Sequence, residues 1–237
     1  MRTELVPVWL NWAGRCVLVV GMGAVGQRRS LTFQRAGAAV IGIDPVPSVR
    51  GSEWGELIRG GLELKAEPYS PEIFEELALA DIRADLVLAC ATREVNARVV
   101  ADANARRLWV SSSTSEPDGG DRPHANAHLG AVCSGDFVRV AVHSGNVAPA
   151  LAATLRDRIA TELVPPADRL AAEAARWRDA ILANGSIDPN VRKSILAQIG
   201  DPDRLMRECN EPGSGVNELR RIMNETIGLE PRQDSHE

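Results

Sequence analysis

The chain has 237 residues, with 44% apolar and 25% charged residues and a formal net charge of −5. Such a length and balance suit one large or two small domains with an ordinary core, and the acidic surplus offers no general attraction to nucleic acid or anionic lipid. No apolar run approaches the ~18 residues of a bilayer span, and the stretch from Met1 to Trp12 lacks a signal peptide's apolar core and cleavage site, so neither segment is expected.

In chain order, Arg15 to Val20 is a short β-branched apolar run that predicts a buried parallel strand. The glycine pattern Gly21, Gly23, Gly26 follows at once, and a helix is expected from Gln27 to Ala36, stopped by Gly37. Ala39 to Ile43 predicts a second strand ended by Asp44. Leu62 to Ala66 predicts a weaker third strand and Asp85 to Thr92 a strong fourth. A helix from Glu94 to Arg106 then leads to a fifth strand at Leu108 to Ser111. Strands alternating with helices imply a parallel sheet with right-handed crossovers. Ser111 to Asn126 is polar and rich in Gly, Pro and Asp, which predicts a long loop. Phe137 to Val142 alternates as a strand, and helices are expected over 149–162, 166–182, 191–199, 204–209 and 216–227. The four cysteines, Cys16, Cys90, Cys133 and Cys209, are scattered without a CxxC pair, which predicts a reducing cytoplasm and no structural zinc. Cys16 and Cys90 lie in strand-like runs and are expected to be small core residues.

A glycine pattern placed directly after a strand, opening a helix, with an acid at the end of the next strand, is what a dinucleotide site of the Rossmann type requires. Gly21 permits the tight turn, Gly23 lets the backbone approach a pyrophosphate, and Gly26 lets the helix pack close to the sheet. Met22, Ala24 and Val25 complete the turn, whose amides face the phosphates with a dipole contribution of roughly 0.3–2 kcal/mol. Asp44 accepts hydrogen bonds from the adenosine ribose and repels a 2′-phosphate, so NAD is expected over NADP.

Several separate stretches resemble one family. They are Pro7 to Leu10, Gly14 to Arg29 and Ala36 to Ala38, then Tyr69 to Pro71, Ala91 and Thr92 with Val95 and Asn96, and Val140 to Gly145 with Ala148 to Ala152. Together they look like the precorrin-2 dehydrogenases, which include the amino-terminal half of siroheme synthase and some sirohydrochlorin ferrochelatases. The resemblance implies an α/β architecture: a Rossmann parallel sheet over 1–113, a small dimerisation and substrate region over 114–147, a helical domain over 148–230, and a disordered tail over 231–237. It implies a homodimer that oxidises the tetrapyrrole precorrin-2 to sirohydrochlorin with NAD, with metal insertion as a further activity. It places Thr92 near the cofactor, and Ser144, Gly145 and Pro149 near the tetrapyrrole. Gly145 and Pro149 equally suit a turn followed by a helix start. Arg28 and Arg29 match a basic pair that suits substrate carboxylates or a nucleotide phosphate.

The sequence departs from that family where its catalytic carboxylate belongs: Thr114 closes the run Ser111 to Thr114. Aligned instead from Ala141 and Val142, the expected Asp falls near Asp121, so Asp118 and Asp121 are candidate bases. His124, His128 and His143 lie in or near the same stretch, and His143, next to Ser144, is the histidine best placed to accept a proton. His124 and His128 are spaced i,i+4 and share a face only if their segment is helical. An alternative is a non-catalytic NAD- or tetrapyrrole-binding sensor that has lost the carboxylate. A dehydrogenase acting on another tetrapyrrole or a different small acid is a third.

Overall fold

The computed structural model describes residues 5–49, 52–114, 124–145, 147–183, 190, 193, 197 and 201–227. The chain divides into two compact units, Met1–Leu129 and Gly130–Glu237.

The first unit is built on five parallel strands, β1 (Cys16–Val20), β2 (Ala39–Ile43), β3 (Glu63–Lys65), β4 (Ala84–Ala89) and β5 (Trp109–Ser112), in the order β3-β2-β1-β4-β5. The first crossovers run outward through β2 to β3 and the next pass back to β4 and β5. The direction therefore reverses between β1 and β4, the doubly wound arrangement of a Rossmann half. Side chains alternate across the central strands. Val17, Val19, Val40, Leu86 and Leu88 pack with Leu31 and Phe33 of α1 (Ala24–Arg35) and Leu57 of α2 (Ser52–Arg59). Leu18, Val20, Ile41, Ile43 and Val87 pack with Ile73 and Leu77 of α3 (Ile73–Leu79) and Val99, Val100 and Ala103 of α4 (Arg93–Ala105). Both faces of the sheet are thus covered, which is why β1 and β4 read as continuous apolar runs.

Several elements differ from the sequence reading. Helix α1 starts at Ala24, not Gln27, because Gly23 already has extended geometry and stands as its N-cap. Helices α2 and α3 were not anticipated. Gly55 dilutes the helical pattern of α2, and the seven residues of α3 are too few to show a period. Cys16 is buried in β1, whereas Cys90 lies just beyond β4 and is half-buried. Burial, with Asp85 and Glu63 nearby, pushes the Cys16 thiol up to about 11. Residues 124–130 are not helical, so His124 and His128 do not share a helix face. Instead Asn126 lies along the edge strand β5: its Oδ1 accepts from Val110 N at 2.8 Å and its own N donates to Val110 O at 3.1 Å. This covers backbone groups that an open edge would expose.

The second unit opens with an antiparallel hairpin, β6 (Ala131–Ser134) and β7 (Arg139–Val142), paired Ala131 to Val142 and Ser134 to Arg139. Strand β6 was missed because four residues between Gly130 and Gly135 carry too little pattern. Helices α5 (Pro149–Glu162), α6 (Val164–Ala183), α7 (Pro202–Asn210) and α8 (Ser214–Ile227) follow. Helix α6 begins before Pro166, since prolines in a first turn lose no helical hydrogen bond. Asp168 on α6 holds the hairpin turn, accepting from the amides of Asp136, Phe137 and Val138 at 2.6, 3.1 and 2.7 Å. The core is an i,i+4 pair from each of two helices, Trp177 and Ile181 against Leu219 and Met223. Trp177 Nε1 donates to Glu173 at 2.9 Å, and Glu173 takes a two-point pair from Arg220. The expected helix over 191–199 lies almost wholly outside the described residues, and the tail from 231 entirely so.

Candidate functional site

The carboxyl ends of β1 and β4 meet at the point where the strand order reverses, the place where open α/β sheets leave a crevice for ligands. Gly21 leaves β1 there with φ +94°, donating to Ile43 O at 2.8 Å. A Cβ on Gly21 would lie 2.6 Å from the backbone of Cys90 and Ala91, and a Cβ on Gly26 would overlap Gly21 O. The two glycines therefore let the turn, the start of α1 and the end of β4 approach within backbone contact. Gly23 is different: a Cβ there meets nothing within 4 Å. The space above it is open, no side chain caps α1, and no acid lies in its first turn. An uncapped helix start facing open space fits an anionic diphosphate.

Asp44, half-buried at the end of β2, reaches back to this turn. Its Oδ2 accepts from Met22 N at 2.7 Å and its Oδ1 from Val46 N at 2.8 Å. A carboxylate has about four acceptor positions, so two remain for ribose hydroxyls. Met22 contributes its backbone only; its side chain is fully buried over Gly42. Ala24 and Val25 are exposed on the first turn of α1. Thr92 caps α4 on the other side of the crevice, its hydroxyl accepting from Val95 N at 3.5 Å.

Three supporting residues were not singled out for these roles from the sequence. Gln27 is buried in α1 and donates to Met22 O at 2.8 Å and Ser48 O at 2.6 Å, tying the glycine turn to the loop after β2. Asn96, also buried, binds Ala91 N and O at 2.8 and 3.2 Å and reaches Ser113 Oγ and Thr114 Oγ1 at 3.5 and 3.4 Å. It joins the ends of β4 and β5. Arg29 is half-buried, with Nη1 3.7 Å from Cys90 Sγ, whereas Arg28 is exposed. Burial raises the Cys90 thiol and Arg29 opposes it only in part, so Cys90 stays protonated at neutral pH. The signal for Gln27 and Asn96 was their position, polar residues on the inner faces of helices that follow tight turns.

Thr114 stands in a cluster of neutral groups: its hydroxyl is 3.0 Å from Ser112 Oγ and within reach of Asn96. Asp118 and Asp121 lie outside the described residues. In the second unit, His143 Nδ1 accepts from Gly145 N at 3.1 Å, and Gly145 has φ +64°. Ser144 Oγ accepts from Ala148 N at 3.2 Å, and Pro149 is the first residue of α5. This segment is thus a turn that starts a helix, with His143 and Ser144 both holding its amides. Asn104 donates to His124 O at 3.0 Å. No group of three or more His, Cys, Asp or Glu that could hold a metal occurs among the described residues, and among them no helix is long and apolar enough to cross a membrane.

The sheet order, the glycine turn and the acid against it define a dinucleotide-binding α/β protein of the Rossmann class. Residues 8–121 match a family model described as "Putative NAD(P)-binding". The chain is 30% identical over 177 residues to the siroheme synthase of Neisseria meningitidis serogroup C, covering 74% of this chain and 33% of that one. It is 30% identical over 181 residues to the siroheme synthase of Methylobacillus flagellatus, covering 75% and 35%. It therefore spans about a third of the length of these relatives. The solved structure of SirC, a precorrin-2 dehydrogenase, has the same fold, with a TM-score of 0.68 and 19% identity over 93% of this chain and all of that one. The chain is thus similar to the siroheme synthases over about a third of their length and shares its fold with SirC.

Proposed function

We propose that the chain is an NAD-dependent precorrin-2 dehydrogenase, converting precorrin-2 to sirohydrochlorin in siroheme biosynthesis. The observation that carries this reading is the 2.7 Å hydrogen bond from Met22 N to Asp44, which sets an acid against the glycine turn at the switch point of the sheet. Gly21, Met22, Gly23, Ala24, Val25 and Gly26 form the floor for the diphosphate, Asp44 takes the adenosine ribose, and Thr92 closes the far side of the crevice. Asp44 would repel a 2′-phosphate by about 4 kcal/mol for unit charges at close range in an intermediate dielectric, which favours NAD over NADP. Bound there, the dinucleotide supplies the hydride acceptor.

The substrate loses one hydride and one proton in this oxidation, so a base is useful. Asp118, Asp121 and His143 are the groups proposed to take the proton. Ser144, Gly145, the helix start at Pro149, and Arg28 are proposed to hold the substrate carboxylates, a helix start and a guanidinium both being suited to anions. Metal insertion would require two pyrrole protons to be removed, and the neutral cluster around Thr114 supplies no base for it. The protein is further proposed to work as a cytoplasmic homodimer; light scattering that returned the monomer mass would contradict the dimer.

That same cluster favours one second reading, a binding or sensor protein that keeps the nucleotide site without turnover. One assay separates the two. With precorrin-2 and NAD, the enzyme reading expects sirohydrochlorin absorbance to grow with time, and Asp44→Arg is expected to abolish it while the fold is kept. NAD binding without sirohydrochlorin would overturn the enzyme reading in favour of the sensor. In the same assay, an unchanged rate in His143→Ala or Asp121→Ala removes that residue from the mechanism.

A further inference from the structure

The amino-terminal end of the first unit's sheet carries a second cavity, of about 240 Å³, among the residues that begin β1, β4 and β5. Trp12 and Trp109 line it together with Arg15, Arg83, Asp85 and Arg107. Arg15 and Asp85 satisfy each other, with Nη1 2.8 Å from Oδ1, while Asp85 Oδ2 accepts from Cys16 N at 3.0 Å. Arg83 and Arg107 are both exposed, and neither guanidinium has an acceptor among the described residues. Trp109, at the start of the edge strand, leaves 46% of its surface in solvent. Trp12 is held in place, its ring edge-on to Phe33 with centroids 4.7 Å apart.

Two guanidinium groups on one small cavity repel each other, and in a chain of net charge −5 this concentration of positive charge is local. Guanidinium forks match carboxylate and phosphate oxygens, and indole faces match planar rings. We propose that this cavity binds a small aromatic anion, a single ring carrying a carboxylate or a phosphate, at a site separate from the glycine turn. The volume, below the roughly 300 Å³ at which drug-sized pockets begin, suits a single ring better than a whole dinucleotide.

The test is calorimetric titration of the full-length chain with benzoate and with phenyl phosphate, in the presence and absence of NAD. At least one probe is expected to bind one-to-one, equally with and without NAD. The variant carrying Arg83→Gln and Arg107→Gln is expected to bind it at least about tenfold more weakly with an unchanged melting temperature, as charge-assisted pairing requires. Trp109→Ala is expected to weaken it as well. Benzyl alcohol and inorganic phosphate, each lacking one half of the ligand, are expected to bind at least about tenfold more weakly than the better probe. No heat from either probe, full affinity in the double variant, or equal binding of inorganic phosphate would each overturn the proposal. Because the glycine turn takes no part, failure here leaves the dehydrogenase reading untouched, and failure of that reading leaves this site standing.

Discussion

Gly26→Ala is expected to destabilise the first unit by about 3 kcal/mol, the upper end of what overpacking a well-filled site costs, and to abolish dinucleotide binding at the same time. The added methyl group would occupy the position of Gly21 O. Neither side can yield cheaply, because Gly21 is fixed by its bond to Ile43 O and its own close approach to Cys90 and Ala91. Either α1 moves off the sheet, breaking the contacts of Leu31 and Phe33, or the turn moves and takes Met22 away from Asp44. Gly23→Ala gives the contrast. The backbone there has φ −72°, which alanine accepts, and its methyl would meet nothing. Stability should change by less than about 0.5 kcal/mol, as for other surface substitutions, while affinity for NAD falls because the methyl enters the space assigned to the diphosphate. Urea unfolding and calorimetric titration of the two variants check this. Equal losses of stability would contradict the packing argument, and full NAD affinity in Gly23→Ala would contradict the placement of the diphosphate.

Glu208→Ala is expected to destabilise the helical unit by about 3 kcal/mol, near the lower end for breaking a buried ion pair, since Arg169 is partly exposed and can rehydrate. The Glu208 carboxylate is fully buried. Its Oε1 accepts from Arg169 Nε at 2.6 Å and Gly213 N at 2.9 Å, and its Oε2 from Gly215 N and Val216 N at 3.1 and 3.2 Å. It therefore caps the start of α8 from the preceding helix, where a negative charge also meets the helix dipole. Burial opposes ionisation of Glu208, but Arg169 and the amides of Gly213 and Val216 outweigh it and hold the carboxyl below its ordinary value. A carboxyl depressed in the folded state stabilises above its unfolded pKa, and that contribution is lost as pH falls through the folded value. The wild-type unit should thus weaken on acidification more steeply than Glu208→Gln, measured by thermal unfolding on the acid side of neutrality. Parallel pH profiles would show that the buried carboxylate is not the group responsible.

The sheet and the glycine turn were legible in the sequence because their causes are local. Val17 to Val20 and Leu86 to Ala89 are apolar without interruption since both faces of the strands are covered, and Gly21, Gly23 and Gly26 follow a strand at a fixed spacing. Asp44 was legible for the same reason, one residue beyond β2. The groups that hold the turn in place were not. The partners of Gln27 and Asn96 lie up to 21 residues away along the chain, so helix position marks these amides as inward-facing but not what they bind. Arg28 and Arg29 are adjacent and chemically equal, and only the helix phase sends Arg29 toward Cys90 and Arg28 outward. The helical unit was readable as helices but not as an assembly, since Glu208 and Arg169 come together from 39 residues apart.

The proposed function requires that the turn after β1 and the acid after β2 hold NAD together. Isothermal titration of the purified chain with NAD is its most direct measurement. Saturable one-to-one binding that is much weaker for NADP is expected, and in Asp44→Arg a loss of NAD affinity in a chain that still folds. A folded chain that gives no heat with either NAD or NADH, or one that binds NADP as tightly as NAD, would contradict it.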